Sequence, residues 1–268
     1  MFDRPVFVLG MPRSGSTFLF DLLAAHPKLL SWGDEAYPPW SAVDPELGSG
    51  ELGDALRISE PDVDLFVRVM HQGVLAHERP GFLVRSGFRR YRLLDKTPPT
   101  VLRVPALRSM FPDAAFIHLV RDAPDSIASL LEGREKELGV RDWPARHGMD
   151  WHFLMPPGWQ DHLQESPAAQ FAWQWEQGTG TPLRDLGDIE YARVRYEDLV
   201  VNPSEVLEDL LVFAGLTMTR SVADACEAMA PSKHTLSAPA PEKWRAHFAE
   251  IDPVLPPLAP LRRALGYL

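Results

Sequence analysis

Cysteine is almost absent from this sequence, because Cys226 is the only one in 268 residues. A single thiol cannot form an intramolecular disulfide, which indicates a reducing compartment. Long apolar runs are absent too, and none approaches the roughly 18 residues that a membrane helix needs. Asp3 and Arg4 precede a short apolar run, which is not the pattern of a secretory signal peptide. We therefore expect a soluble, cytoplasmic protein without a membrane-inserted segment.

Positive charge is also scarce. The chain has 27 Lys and Arg against 37 Asp and Glu, a formal net charge of −10. This balance argues against nucleic acid as a partner, since general nucleic-acid binding needs a basic surface. It leaves room for a local basic pocket that holds one nucleotide. His, Cys and acidic residues show no metal-ligand spacing, so we expect no metal.

Short apolar runs alternate with helical patterns along the chain. Strands are predicted at 6–9, 29–32, 92–94, 114–120 and 192–196. Helices are predicted at 16–25, 63–76, 100–110, 125–131, 168–177, 203–214 and 221–229. The alternation predicts an α/β fold in three layers, with a central parallel sheet between two layers of helices. Length and the lack of a linker favour a single domain over 1–268.

Two regions depart from this alternation. Residues 38–90 begin rich in Pro, Gly, Ser and acids and are predicted to be a variable loop or helical insertion. Residues 139–165 carry Trp143, Trp151 and Trp159 around Pro-Pro-Gly. We interpret this region as an aromatic lid over a substrate. The alternative is a loop whose tryptophans only pack on the core.

The sequence from Val6 to Phe20 reads as a buried strand, a glycine turn and a helix. This arrangement points backbone N–H groups and the positive end of a helix dipole at one anion. Gly10 and Gly15 have P-loop spacing, but Ser16 follows where a nucleotide triphosphatase has lysine. The positive charge lies at Arg13 inside the turn instead. The turn is therefore predicted to bind a 5′-phosphate that carries one further group.

A second anion site is predicted after the buried strand at 114–120. Arg121 follows this strand, and Ser126 and Ser129 share one face of the next helix. A guanidinium fork and a hydroxyl suit a phosphate. The alternative is that Arg121 and Asp122 form a surface ion pair.

Three motifs together resemble the sulfotransferase superfamily, which uses 3′-phosphoadenosine 5′-phosphosulfate (PAPS). They are Pro12-Arg-Ser-Gly-Ser-Thr17, the segment from Phe116 to Ser129, and Arg195-Tyr-Glu-Asp-Leu199. The resemblance runs from residue 5 to about 215 and weakens in the two irregular regions. It is closer to bacterial members and tyrosylprotein sulfotransferases than to the cytosolic branch, which has Lys at position 13 and Trp at position 18.

The resemblance implies a set of nucleotide-binding residues. It places the 5′-phosphosulfate on Arg13, Ser14, Gly15, Ser16 and Thr17, and it adds Phe18 as a further cofactor-binding residue. It assigns the 3′-phosphate to Arg121 and Ser129, and it places Tyr196 beside the adenine or its phosphate. Late in the chain, Lys243 and either Ser237 or Thr235 resemble family residues near the cofactor, but the match is less clear.

The resemblance also implies catalytic roles. Lys96 and Arg13 stabilise the oxygen that leaves sulfur, and Glu35 is the base that activates the acceptor hydroxyl. Asp34 is an alternative base. Either of the lid histidines, His152 or His162, is a further alternative. The expected reaction moves a sulfuryl group from PAPS to a hydroxyl of a small molecule, lipid or glycoside and releases adenosine 3′,5′-bisphosphate. Two other functions stay open, a P-loop small-molecule kinase and a non-catalytic nucleotide-binding protein.

Overall fold

The computed structural model describes residues 2–57, 62–78, 91–230 and 243–268. Within these residues, five parallel strands form one sheet in the order β2-β3-β1-β4-β5. The strands are β1 Val6–Gly10, β2 Leu29–Ser31, β3 Arg92–Asp95, β4 Ala115–Val120 and β5 Ala192–Arg195. The predicted α/β class and the parallel sheet are confirmed, and no strand end differs from its predicted position by more than one residue.

Helices cover both faces of the sheet. They are α1 Ser16–Ala24, α2 Tyr37–Val43, α3 Val63–His77, α4 Val104–Met110, α5 Ala123–Glu135, α6 Asp142–Arg146, α7 Pro167–Asp185, α8 Tyr196–Val201, α9 Pro203–Phe213, α10 Arg220–Ala228, α11 Phe248–Ile251 and α12 Ala259–Ala264. Short 3-10 turns include Pro98–Leu102, Trp159–His162 and Lys243–His247. In the part of the chain that is described, no helix combines the length and apolarity needed to cross a membrane.

The central strands are buried on both sides, as a parallel sheet with two helical layers requires. Every residue of β1 and β4 is buried. Phe7 and Leu9 of β1 contact the cluster that contains residues of α3, α5 and α7. Val6 and Val8 contact the opposite cluster, with residues of α1 and α9. The alternation of β1 side chains therefore divides the core into two layers around the sheet.

The helix predicted at 100–110 is divided in two. A 3-10 turn ends at Leu102, and α4 begins at Val104. Arg103 between them has φ −126° and ψ 16°, outside helical geometry. Its side chain is buried and donates from Nε to the carbonyl oxygen of Asp54 at 2.7 Å. This tertiary contact and Pro105 in the first turn of α4 explain the break, which the apolar pattern alone does not indicate.

Helix α7 runs eight residues beyond its predicted end at 177, through Gly178, Gly180 and Pro182. These residue types favour termination in a sequence. In the structure Gly178 is needed for packing, because a Cβ there would lie 2.0 Å from the Met11 sulfur. Close approach of α7 to the chain after β1, and not helix termination, accounts for this glycine.

The two irregular regions are partly ordered into helices. The predicted insertion contains most of α2 and all of α3, and its residues 58–61 and 79–90 lie outside the described part of the chain. The predicted lid contains α6, and Trp151 and Trp159 pack with Met155 in a small buried cluster. These two tryptophans therefore hold the lid together, whereas Trp143 remains partly exposed at its edge.

Candidate active site

The carboxyl ends of the parallel strands bring the predicted site residues to one edge of the sheet. The turn after β1 carries Arg13, β3 is followed by Lys96, β4 by Arg121 and β5 by Tyr196. Ligands of open α/β sheets bind at this edge. The topology thus explains why residues up to 183 positions apart, from 13 to 196, share a site.

The turn between β1 and α1 has the backbone shape of an anion cradle. Arg13 (φ 66°) and Gly15 (φ 93°) adopt left-handed conformations, and Gly15 immediately precedes α1. The Ser14 side chain is 2% exposed, and its hydroxyl has no hydrogen-bond partner among the described residues. A buried polar atom is normally hydrogen-bonded. An anionic ligand in this turn is a suitable partner for it.

Tyr196 joins the turn to the second predicted anion site. A Cβ on Gly15 would lie 2.3 Å from Cδ2 of Tyr196, so only glycine fits against this ring. The guanidinium carbon of Arg121 lies 4.7 Å from the centre of the same ring. Arg121 also donates from Nη1 to the carbonyl oxygen of Arg13 at 3.1 Å. The structure therefore brings Arg13, Gly15, Arg121 and Tyr196 together.

The electrostatics of this corner suit a ligand with more than one negative charge. Burial lowers the pKa of Arg13, and the nearby Arg121 lowers it further. Two cations held close together repel each other, and an anion bound between them relieves that repulsion. The pair therefore favours a ligand with more than one negative charge.

Two hydrogen bonds to its backbone carbonyl oxygen hold Arg121 in place. Its carbonyl oxygen accepts the indole N–H of Trp175 at 3.0 Å and the hydroxyl of Ser126 at 3.3 Å. Ser126 is 1% exposed and structural, whereas Ser129, one turn later on α5, is partly exposed. Ser126 is therefore engaged within the chain, and the role of Ser129 as the ligand-binding hydroxyl stays a prediction.

The remaining predicted nucleotide residues are less well defined. Phe18 is partly exposed on α1 and packs against the core cluster that Tyr196 also contacts. Lys243 begins a 3-10 turn, but its side chain lies outside the described part of the chain. Ser237 and Thr235 lie outside the described residues altogether.

Glu35 and Lys96 form an ion pair at the same edge. Lys96 Nζ donates to Glu35 Oε1 at 2.7 Å. Lys96 is 2% exposed and Glu35 is 24% exposed, so the carboxylate is the more accessible partner. The hydroxyl of Tyr37 donates to the second oxygen, Oε2, at 3.0 Å. Burial raises the pKa of Tyr37, and the Glu35 carboxylate raises it further, so this phenol remains protonated at neutral pH.

A buried chain of hydrogen bonds sets the position of Glu35. The backbone N–H of Ala36 donates to Thr97 Oγ1 at 2.8 Å, and that hydroxyl donates to Asp95 Oδ1 at 3.0 Å. Complete burial raises the pKa of Asp95 to about 7, although the Thr97 hydroxyl and the Lys96 charge both oppose the rise. Sequence reasoning missed Asp95, Thr97 and Tyr37. Their proximity in sequence to Lys96 and Glu35 was the available signal.

A cleft of about 710 Å³ opens beside the ion pair. Arg13, Ser16, Thr17 and Glu35 line its inner side. Apolar residues from the loop after α2 and from the lid region form part of the remaining wall: Pro45, Leu47, Leu138, Val140, Trp143, Phe153 and Leu154. Polar and charged residues form another part: Tyr37, Ser49, Arg141, Asp142 and Arg146. The predicted base therefore faces a cleft of mixed character next to the anion cradle.

The alternative bases lie elsewhere. Of the described residues that line the cleft, none is a histidine and Asp34 is not among them. His152 binds the carbonyl oxygen of Leu138 at 2.8 Å and Asp150 at 3.0 Å. His162 stacks on Trp173 with ring centres 4.0 Å apart. Both imidazoles thus have structural contacts with the lid or the segments next to it.

No group of three or more His, Cys, Asp or Glu residues in the described ranges is arranged to hold a metal ion.

Comparison with known proteins identifies relatives of this chain. A sequence model described as the sulfotransferase family matches residues 5–220. Human protein-tyrosine sulfotransferase 1 is 28% identical over 131 residues, which cover 48% of this chain and 34% of that protein. The Drosophila melanogaster protein-tyrosine sulfotransferase is 24% identical over 212 residues, covering 78% and 37%. The chain thus spans only about a third of the length of these two relatives.

Solved structures share the fold. Sulfotransferase STF9 from Mycobacterium avium superposes with a TM-score of 0.56 at 17% identity, covering 98% of this chain and 77% of that one. The sulfotransferase domain of the Synechococcus PCC 7002 olefin synthase gives 0.51 at 21% identity, covering 97% and 98%. The family match covers most of the sequence and includes the cradle, the ion pair and Arg121. The chain therefore belongs to the sulfotransferase family.

Proposed function

We propose that this protein is a PAPS-dependent sulfotransferase that sulfates a hydroxyl group. The observation that carries the proposal is the Glu35–Lys96 pair, joined at 2.7 Å, beside a cleft that Arg13, Ser16 and Thr17 also line. A base and a cation next to an anion cradle are what sulfuryl transfer to a hydroxyl requires. The family match supports the same reaction.

The nucleotide is held by residues from four segments. Ser14, Gly15, Ser16 and Thr17 at the start of α1 bind the 5′-phosphosulfate, helped by backbone N–H groups and Arg13. Arg121 and Ser129 bind the 3′-phosphate, Tyr196 lies between the two sites, and Phe18 contacts the nucleotide from α1. The family resemblance adds Lys243 and Ser237 as further proposed nucleotide contacts. The partnerless, buried Ser14 hydroxyl supports a ligand in the cradle.

PAPS supplies the sulfuryl group, and the residues of this chain move the proton and stabilise charge. The acceptor hydroxyl donates to Glu35, which takes its proton as the acceptor oxygen attacks sulfur. Lys96 and Arg13 stabilise the negative charge on the oxygen that separates from sulfur. Thr97 and Asp95 hold the Glu35 segment, so the carboxylate does not need to reorient during the reaction.

The cleft favours an acceptor with an apolar body, such as a small molecule or a lipid. Apolar side chains form part of its wall, and Leu138 and Val140 expose 37% and 47% of their surface beside it. The hydroxyl of Tyr37 already donates to Glu35 at 3.0 Å. This contact supports phenols as well as alcohols among the acceptors.

Scarce cysteine supports a cytoplasmic location, and the continuous parallel sheet supports a single domain.

Incubation with sulfur-labelled PAPS and a panel of apolar alcohols and phenols tests the proposal. The wild-type protein is expected to transfer label to at least one acceptor class. Glu35→Gln is expected to lower turnover by about 10²- to 10⁴-fold, the usual contribution of a general base. Lys96→Met is expected to lower it by about 10²- to 10³-fold, as loss of one charge-stabilising donor does.

Asp34→Asn is the matched control, because Asp34 adjoins Glu35 but does not line the cleft. This variant should keep near wild-type turnover. Full turnover in Glu35→Gln together with loss in Asp34→Asn would move the base to Asp34. Absence of any label transfer with every acceptor, combined with no binding of the donor, would exclude the proposed reaction.

A further inference from the structure

Acidic residues crowd the proposed 3′-phosphate site. Asp122 and Asp125 lie next to Arg121 in sequence, and Glu197 adjoins Tyr196. Burial raises the pKa of Asp125, the Arg121 charge opposes that rise, and Asp122 and Glu197 raise it further. These four groups therefore act on one another in one corner. Three carboxylates around one arginine disfavour binding of a phosphate unless their charge is offset.

The C-terminal segment offsets the charge of Asp122. Arg262 on α12 donates from Nε to Asp122 Oδ1 at 2.8 Å and from Nη2 to Oδ2 at 2.9 Å. This is a bidentate ion pair, with side chains 13% and 21% exposed. Both carboxylate oxygens are engaged, so Asp122 does not compete with a ligand for Arg121. Among the described residues, Arg121 itself makes no ion pair with a carboxylate.

A second contact engages the next carboxylate. The hydroxyl of Tyr267 donates to Glu197 Oε2 at 2.9 Å, while Glu197 Oε1 accepts the backbone N–H of Asp122 at 3.0 Å. The guanidinium carbon of Arg195 lies 4.4 Å from the Tyr267 ring centre. The C-terminal residues thus bind both acids that flank Arg121 and Tyr196. Both Arg262 and Tyr267 lie beyond residue 220, where the family match ends.

We infer that Arg262 is a positioning residue for the nucleotide, which keeps Arg121 available to the 3′-phosphate by holding and neutralising Asp122. The inference rests on the proposed nucleotide site and extends it to the C-terminal helix. It concerns binding of the donor and of the bisphosphate product, so an acceptor is not needed to test it.

Titration calorimetry with adenosine 3′,5′-bisphosphate tests this role. Arg262→Met leaves the Asp122 charge uncompensated and is expected to weaken binding about tenfold by electrostatic repulsion. The double variant Asp122→Asn/Arg262→Met removes that charge and is expected to restore binding to within about twofold of wild type. Asn is as good a helix N-cap as Asp, so the start of α5 is preserved.

Arg263→Met is the matched control. Arg263 is the next residue of the same helix and is exposed, and among the described residues its side chain makes no hydrogen bond or ion pair. Its loss changes the net charge equally and should leave bisphosphate affinity unchanged. Wild-type affinity in Arg262→Met would overturn the inference. A double variant as weak as Arg262→Met would also overturn it, because packing and not charge would then be responsible. Failure of the wild-type protein to bind the bisphosphate would instead reject the proposed nucleotide site.

Discussion

At the scale of single residues, Gly15 is constrained in two separate ways. Its backbone is left-handed, and a side chain would also collide with the Tyr196 ring. The ring in turn lies against Arg121. One small residue thus sets how closely the 5′ and 3′ parts of the proposed site approach each other.

Gly15→Ala is expected to destabilise the protein and to weaken bisphosphate binding. Left-handed backbone costs a non-glycine residue about 1–2 kcal/mol, and overpacking adds about 1–3 kcal/mol. Gly148→Ala is the control, because Gly148 has φ 71° but nothing within 4 Å of its Cβ position. This variant should lose only the stability that the left-handed backbone costs a non-glycine residue. Urea unfolding and calorimetry measure the two effects, and equal losses of stability in both variants would contradict the role of the ring contact.

His118 is a residue whose charge state depends on burial. It is 1% exposed in β4, and burial, helped by the nearby Arg193, lowers its pKa to about 3. The unfolded chain takes up a proton near pH 6.5, whereas the folded chain does not until about pH 3. The neutral imidazole therefore stabilises the fold above pH 6.5, and this contribution is lost as the pH falls from 6.5 towards 3.

His118→Leu should flatten this pH dependence. Between pH 7.5 and 5.5 the wild-type protein is expected to lose about 1.4 kcal/mol more unfolding free energy than the variant, from one protonation in the unfolded state. Nδ1 of His118 has no hydrogen-bond partner among the described residues, so leucine leaves no known partner of that atom unsatisfied. Urea unfolding at both pH values gives the comparison. Parallel pH profiles for the two proteins would show that His118 is not a buried neutral group.

At the scale of elements, Asp54 joins the two walls of the cleft. Its Oδ1 accepts Arg141 Nη2 of the lid at 2.6 Å, and its Oδ2 accepts the backbone N–H of Met155 at 2.8 Å. Arg103 Nη2 lies 3.8 Å from Oδ1, and both Asp54 and Arg103 are almost fully buried. The loop after α2 and the lid are therefore fixed to each other and to the residue that precedes α4.

Asp54→Asn should destabilise the protein by about 3–5 kcal/mol, because it leaves buried arginine charge without its counter-ion. Asp188→Asn removes one partner of the exposed Arg108–Asp188 pair and should cost only about 0–1 kcal/mol. Chemical denaturation of the two variants makes the comparison. Similar small losses in both would mean that the lid is held by its tryptophans alone.

The elements themselves differ in how far they could be predicted. β4 was predicted within one residue, because six consecutive buried residues leave a continuous apolar run. The predicted end of α7 was wrong, because a glycine needed for contact with Met11 looks the same in sequence as one that ends a helix. The break at Arg103 was missed, because its cause is a contact with Asp54, 49 residues away. Local patterns thus predict strands better than they predict tertiary contacts.

At the scale of the whole molecule, the candidate site is assembled from distant segments. The cradle, Lys96 and Arg121 could be predicted, because each follows a recognisable strand and matches a family motif. Tyr37 and Asp95 were not predicted, although each lies within two residues of Glu35 or Lys96, because neither belongs to a motif that indicates its hydrogen bond. The Arg262–Asp122 pair joins residues 140 positions apart, and no local pattern connects them. Motifs therefore located the groups that are proposed to bind the ligand, and the structure was needed for the groups that support them.

Stabilisation by adenosine 3′,5′-bisphosphate, measured as unfolding free energy, tests the central claim most directly. At a ligand concentration of about 100 Kd the wild-type protein should gain about 2.7 kcal/mol. Arg13→Ala and Arg121→Ala should lose most of this gain, each measured against its own ligand-free stability, whereas Glu35→Ala should keep it and lose turnover. A wild-type protein that gains no stability, or an equal gain in all three variants, would contradict the account.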